Sequence, residues 1–286
     1  MARVRIVTDS THYLPSGLVT EHELGVVSLY VNEGGATIRE SELDLGTFYD
    51  RLRDTQNLPT TSQPSLGDFL AVYEPLLDAG HDIASVHITA GISGTLETAR
   101  QAATEAQTTH PGRRVEVIDS GSTAGGLAMV ALSAGAAARG GADVDAVAAR
   151  AGEARAAART WFAVDTLEYL RRGGRIGAAQ ALLGSALKIR PILTMEGEVL
   201  PIERVRTSRR AFERLVDYAG ELKETGADAW MVQHIQAPEQ AAALEARVRE
   251  LFGHGPFCIS EMGPVVGAHV GPGLLGVGGL PARLLE

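Results

Sequence analysis

Apolar positions in the first 160 residues come as short runs separated by stretches of helical periodicity. Runs at 3–8, 25–31, 83–89 and 114–118 predict strands. Between them Leu66, Phe69, Leu70, Tyr73, Leu76 and Leu77 recur at helical spacing, and Ser65 with Asp68 three positions on forms a capping pair. Further helices are predicted over 94–108, 123–139 and 143–158, the last two rich in alanine and suited to close packing on a sheet. This alternation predicts an α/β layer built on a mainly parallel sheet with flanking helices.

From residue 161 the texture changes. Trp161–Val164 reads as a strand and Thr166–Arg171 as a short helix closed by Gly173-Gly174. A helix near 177–187 is followed by strands at 191–194 and 198–202, joined across Met195-Glu196-Gly197. Helices at 208–224 and 238–251 flank a strand at 228–235. Gly263–Gly279 holds seven glycines in 17 positions and predicts a loop-rich closure with some short strand. A chain of 286 residues suits two cores better than one. The expectation is an N-terminal α/β domain over 1–160 and a smaller α/β domain with a mixed sheet over 161–286.

Composition narrows the function. The chain is 45% hydrophobic with 5% aromatics and a formal charge of −9, which argues against nucleic-acid binding, where a basic surface supplies most of the affinity. The charge is uneven: residues 160–215 carry ten Lys/Arg against six Asp/Glu. Such a run is either a solvated face or a docking patch. Cys258, the single cysteine, sits between Phe257 and Ile259 and reads as a buried, inert thiol. The N-terminus lacks the pattern of a signal peptide and no stretch has the roughly 20 apolar residues of a membrane span, so a cytoplasmic protein is expected. Metal chemistry finds no support in the histidine and cysteine spacing, and no P-loop or G-x-G-x-x-G follows a strand.

The candidate chemistry lies at strand ends. An apolar strand ending at Thr89 leads through Ala90-Gly91-Ile92-Ser93-Gly94-Thr95 into a helix. A strand, a small-residue turn and a helix N-terminus favour an anion, because free backbone N–H groups and the helix dipole both point at it. Ser93 or Thr95 could instead simply cap the helix. Gly91–Thr95 also nearly matches G-x-S-x-G, the turn that exposes a hydrolase serine, with Thr95 in place of the last glycine; His234, His254 or His269 would then have to serve as base. Thr60-Thr61-Ser62-Gln63-Pro64-Ser65 offers a second hydroxyl cluster before a helix. Thr8-Asp9-Ser10-Thr11 and Asp119-Ser120 repeat the theme, at the edge where ligands collect in open α/β sheets. Finally, Gly267-Ala268-His269-Val270-Gly271-Pro272-Gly273 places one histidine among glycines, as where a backbone passes close to something. An imidazole there, protonated or hydrogen-bonding, would lower the cost of burying a carboxylate.

Taken in order, Thr8-Asp9-Ser10-Thr11 with Leu14-Pro15, Thr61–Ser65, Ser93-Gly94-Thr95, Ile118-Asp119-Ser120, Thr166–Ile176 and Gly267–Gly273 resemble the signatures of the DegV family, from residue 6 to about 276. The resemblance implies a two-domain α/β protein that binds a long-chain fatty acid and serves as the lipid-binding subunit of bacterial fatty acid kinase, feeding phospholipid metabolism. A separate ATP-using subunit would make the acyl phosphate. It implies carboxylate contacts from Thr61 or Ser62, Ser93, the Gly94 backbone and His269, with no cofactor and no turnover by this chain alone. Arg172 resembles a residue that handles the kinase or its phosphate. The densest cationic run, Arg171, Arg172, Arg175, Arg209 and Arg210, is the expected kinase-docking face, and peripheral or transient membrane contact is compatible with handling a lipid. One departure stands out: where the family has Ser-Ser before the turn, this chain has Thr89-Ala90. A chain of roughly fourteen methylenes at about 0.8 kcal/mol each would gain on the order of 11 kcal/mol on burial, enough to hold a lipid once its carboxylate is satisfied.

Overall fold

The computed structural model describes residues 3–54, 58–183 and 189–286. Its first sheet is wholly parallel: β1 (Val4–Asp9), β2 (Gly25–Val27), β6 (Asp82–His87) and β7 (Val115–Asp119) lie in the order β2-β1-β6-β7. The apolar run at 25–31 does not stay in this sheet. After Val27 the chain turns, and β3 (Tyr30–Glu33) joins β4 (Ala36–Arg39) and β5 (Thr60–Ser62) in a small antiparallel sheet ordered β4-β3-β5. That sheet and α2 (Leu45–Asp54), which buries Phe48, Tyr49 and Leu52, are elements the apolar pattern did not announce.

Helices α1 (Ser16–Glu21), α3 (Leu66–Asp78), α4 (Thr95–Thr109), α5 (Ala124–Arg139) and α6 (Val144–Ala157) complete this half. The capping pair of α3 forms as a full box: the Ser65 hydroxyl accepts from the Asp68 amide and the Asp68 carboxylate from the Ser65 amide. Phe69, Tyr73 and Leu77 of α3 pack with Ala99, Ala102, Ala103 and Ala106 of α4 on one face of the parallel sheet. The other face meets α5.

A second, six-stranded sheet begins at Arg159. In the order β10-β9-β8-β13-β11-β12 it comprises β8 (Arg159–Ala163), β9 (Arg190–Glu196), β10 (Glu198–Val205), β11 (Ala229–His234), β12 (Cys258–Glu261) and β13 (Leu275–Leu280). Only the β11–β12 pair is parallel, so the sheet is mixed. Helices α8 (Ser208–Glu224) and α9 (Pro238–Phe252) cover one face, over Trp161, Ala163, Trp230, Val232, Leu275 and Val277. The alternate positions, Phe162, Val164, Met231, Gln233, Ile235, Gly276 and Gly278, point the other way, as strand alternation requires. On that side α5 packs against both sheets, its alanines and glycines allowing close approach from each.

The glycine-rich end departs from expectation. Gly263–Gly279 is not a loop-rich closure: it holds a helix, α10 (Pro264–Val270), and most of β13, a central strand of the mixed sheet. Glycine weakens a strand intrinsically, so the pattern concealed it; pairing on both sides supplies what propensity lacks. The helix foreseen near 177–187 is described only in part, as a tight turn over Gly177–Leu182; residues 184–188 lie outside the described residues. The short helix closed by glycine forms as α7 (Glu168–Arg172), ending at Gly173.

Candidate functional site

A mainly apolar cavity of about 250 Å³ lies where the parallel sheet's strand ends, the small sheet, α10 and the pocket-facing side of the mixed sheet converge. Its walls are Leu29, Ile88, Ile92, Leu170, Met195, Val199, Met262, Val265, Val266, Val270 and Leu274. Toward Met231 and Thr160 the floor is bare backbone at Gly276 and Gly278. Thr123 and Gln233 also line the Met231 side, but most polar groups gather at the other end. Thr61 and Ser62 arrive from β5 and Gln63 from just after it, Ser93 and Gly94 from the turn into α4, and His269 from α10. Five residues expected to grip a carboxylate thus line one cavity.

Their hydrogen bonds define what they can do. Thr61 Oγ1 and His269 Nε2 are 2.7 Å apart, either one donating according to the imidazole tautomer. Nδ1 of His269 is buried without a partner, close against Gly173, where any side chain would strike the ring. Burial, and then the nearby positive charge of Arg175, lower the His269 pKa to about 4, which favours a neutral imidazole near neutral pH. Asn32 Nδ2 donates to Ser62 Oγ at 3.4 Å, and the Thr95 amide donates to Ser93 Oγ at 3.3 Å. Each serine oxygen therefore receives a hydrogen bond; Ser62 keeps its proton for an acceptor, and Ser93 does so when Thr95 is the donor between them. Ser93 Oγ also lies 2.9 Å from Thr95 Oγ1. Gly94 is the N-cap of α4, and Gln63 packs against its Cα while donating to Thr98 Oγ1 at 3.0 Å.

The five arginines differ in setting. Arg175 lines the cavity, its Nε donating to the Ile92 carbonyl at 3.3 Å and NH1 to the Gly173 carbonyl at 2.8 Å. Its cation faces the hydroxyl end, a placement that the charge run did not single out; only its position behind the Gly173-Gly174 turn hinted at it. Arg171 and Arg172 are exposed on α7, with Arg171 paired to Glu168 at 2.6 Å. Arg209 and Arg210 are exposed on α8, which packs on the opposite face of the mixed sheet from Leu170 of α7.

The glycines around His269 mark close approach of the backbone to neighbouring groups. Gly267 faces the Tyr49 hydroxyl and Gly271 the Tyr169 ring, so the neighbours are protein side chains. The remaining strand-end groups are structural. Asp9 accepts from Ile88 N at 2.8 Å and Thr11 Oγ1 at 2.6 Å, and pairs with His87 Nδ1 at 3.1 Å. His87 Nε2 continues to Ser85 Oγ at 2.6 Å and on to Tyr73. This acid–histidine–serine chain is fully buried and outside the cavity. Burial tends to raise the Asp9 pKa, yet the His87 contact and the other donors hold it below the usual carboxylate range. Burial pushes the Cys258 thiol up to about 12, as expected of an inert cysteine. Among the described residues no cluster of three or more His, Cys, Asp or Glu could hold a metal, and no helix is long and apolar enough to cross a membrane.

A family model described as an uncharacterised protein of the DegV family matches residues 3–282. The chain belongs to the DegV family. A DegV domain-containing protein of Streptomyces coelicolor is 41% identical over 278 residues, covering 96% of this chain and 97% of its relative. Among solved structures, a DegV family protein from Thermus thermophilus, described as binding fatty acid, superposes with a TM-score of 0.87 at 35% identity, covering 98% of this chain and 99% of the other. DegV of Bacillus subtilis, described as a fatty acid binding protein, gives 0.86 at 32% identity, covering 98% and 100%. The two-layer arrangement of a parallel and a mixed sheet is therefore that of DegV proteins.

Proposed function

We propose that this chain buries one long-chain fatty acid in the cavity and presents its carboxylate to a separate ATP-dependent kinase subunit. The observation that carries the reading is the convergence of Thr61, Ser62, Ser93, Gly94 and His269 at one end of an apolar cavity. Three hydroxyls and an imidazole can satisfy a carboxylate that would otherwise be costly to bury, while the apolar walls take the chain. Arg175 adds a cation to the same end. The DegV relatives described as binding fatty acid supply the ligand class. In this reading residues 1–160 form the domain that carries the hydroxyls, residues 161–286 the domain that carries the tail cavity and His269, and the protein works in the cytoplasm without cofactor.

Holding, not attack, is the role assigned to Ser93. Its hydroxyl bonds to Thr95, and the histidine of the site bonds to Thr61 instead, an arrangement that supports donation to a bound anion over activation as a nucleophile. Native mass spectrometry of the gently purified protein tests the proposal directly. A co-purified fatty acid is expected, and Ser93→Ala should weaken its retention. Absence of any bound lipid, or ester hydrolysis that Ser93→Ala abolishes, would overturn the reading in favour of an acyl hydrolase.

A further inference from the structure

The histidine of the site has few restraints of its own. Its one hydrogen bond within the described residues runs to Thr61, and Nδ1 has none. Where the imidazole sits is therefore decided by where α10 sits, a helix of only seven residues. The start of that helix is held by residues far away in the chain. The Glu40 carboxylate, itself 6% exposed, accepts from the Val265 amide at 2.8 Å and from the Tyr13 hydroxyl at 2.7 Å. Ser10 donates to its other oxygen at 2.5 Å. Tyr13 in turn accepts from the Val266 amide at 3.0 Å. Glu40 and Tyr13 thus take up the amides of two consecutive residues in the first turn of α10, which a helix leaves without internal partners. Gly263 makes the approach feasible, because a Cβ there would stand 2.7 Å from the Tyr13 ring and 2.8 Å from the Glu40 carboxylate.

The connection to the site is short and stiff. Val265 and His269 are four residues apart, so they lie on one face of α10, and both line the cavity. A shift of α10 along its axis would carry the imidazole with it. All three polar contacts of the Glu40 carboxylate are donors, so they act on the ionised form, opposing the burial that raises its pKa.

We propose that Glu40 is a positioning residue for the carboxylate site, fixing α10 so that His269 stays within hydrogen-bond reach of Thr61. It does not line the cavity. Where it concerns lipid release, the proposal rests on the fatty-acid reading above.

The test uses the full chain, palmitate as probe, and nitrogen NMR of the His269 imidazole. Glu40→Gln should displace the His269 ring signals and speed palmitate release about tenfold, the loss expected when a hydrogen bond to a charged group is weakened. In a His269→Ala background the same change should alter release by less than about twofold, because coupled positions are not additive. Ring signals that stay in place, or an equal acceleration with and without His269, would overturn the proposal, the second outcome marking a general loosening of the fold. Should Glu40→Gln not fold, Tyr13→Phe removes both the Val266 link and the donation to Glu40 while leaving Glu40 on the Val265 amide, and unmoved ring signals in that variant would count against the proposal. If the unmutated protein holds no palmitate, the fatty-acid reading fails, while the imidazole signals still decide the role of Glu40.

Discussion

Thr61 and His269, 208 positions apart in the chain, meet across the cavity at 2.7 Å. One comes from the three-stranded sheet and the other from α10, so the contact joins the first half of the chain to the last. If the pair grips a carboxylate, each member should matter and the two should not be independent. Thr61→Val and His269→Ala are each expected to weaken fatty-acid retention roughly tenfold, with the double variant well short of the product of the two. Competitive displacement by a fluorescent fatty acid measures all three; strictly multiplicative effects would show that the two residues act apart.

The depressed pKa of His269 sets a pH dependence. With its pKa lowered to about 4, against an ordinary value near 6.5, the imidazole is neutral down to mildly acid pH. A bound carboxylate favours the protonated ring, so binding should draw in a proton below the bound-state pKa, and affinity should rise as pH falls from about 6.5 toward 4.5. Calorimetry in two buffers of different ionisation enthalpy should register that uptake, and His269→Asn should abolish it. The stability effect has the opposite sign. Because the unfolded chain binds the proton more readily, the folded state loses stability as pH falls below about 6.5, with the loss complete near the folded value. His12, whose pKa burial also lowers to about 4, adds to that loss.

Much of the fold was legible because its long elements are periodic. The parallel strands, α3 with its capping box, and the alanine-rich α5 and α6 follow from apolar spacing and turn signals. The candidate site was legible as scattered hydroxyls at strand ends, each of which has an ordinary capping or turn role. What stayed hidden depends on tertiary pairing. β13 presents glycines to the cavity and apolar residues to α8 and α9, so neither its propensity nor its alternation marks it as a central strand. The three-stranded sheet is built of three- and four-residue strands, below the length at which alternation is readable. Arg175 was grouped by charge with Arg171 and Arg172, yet two hydrogen bonds to backbone carbonyls turn it toward the site. At position 90 the Ala90 amide reaches toward Asp119 at 3.5 Å, and the residue does not line the cavity.

The placement of the arginines on different elements gives a sharper expectation for a partner. Arg171 and Arg172 on α7 share an element with Leu170, which lines the cavity, whereas Arg209 and Arg210 ride on α8 behind the mixed sheet. A kinase subunit that reaches the carboxylate would approach on the α7 side. Arg172→Glu should therefore lower acyl-phosphate formation with the cognate kinase, roughly tenfold or more, while leaving lipid retention unchanged. Arg209→Glu with Arg210→Glu should have little effect. Comparable losses from both changes would restore a single docking face, and no loss from Arg172→Glu would remove α7 from it.

The buried Asp9–His87 pair gives a prediction about stability rather than binding. Both side chains are fully buried, and the carboxylate is shared among His87, Thr11 and the Ile88 amide. Asp9→Asn keeps the shape but removes the carboxylate that His87, Thr11 and the Ile88 amide share, and weakening buried hydrogen bonds to a charged group costs about 1.5–3 kcal/mol. The contribution of Asp9 is present above its unfolded value near 3.9 and is lost as pH falls through the lower folded one. Urea unfolding at neutral pH and near pH 3 should therefore show a large gap between the variant and the unmutated protein that narrows in acid. Because the pair lies outside the cavity, the folded variant should still hold its lipid, and loss of lipid at temperatures where it remains folded would tie the Asp9 network to the site.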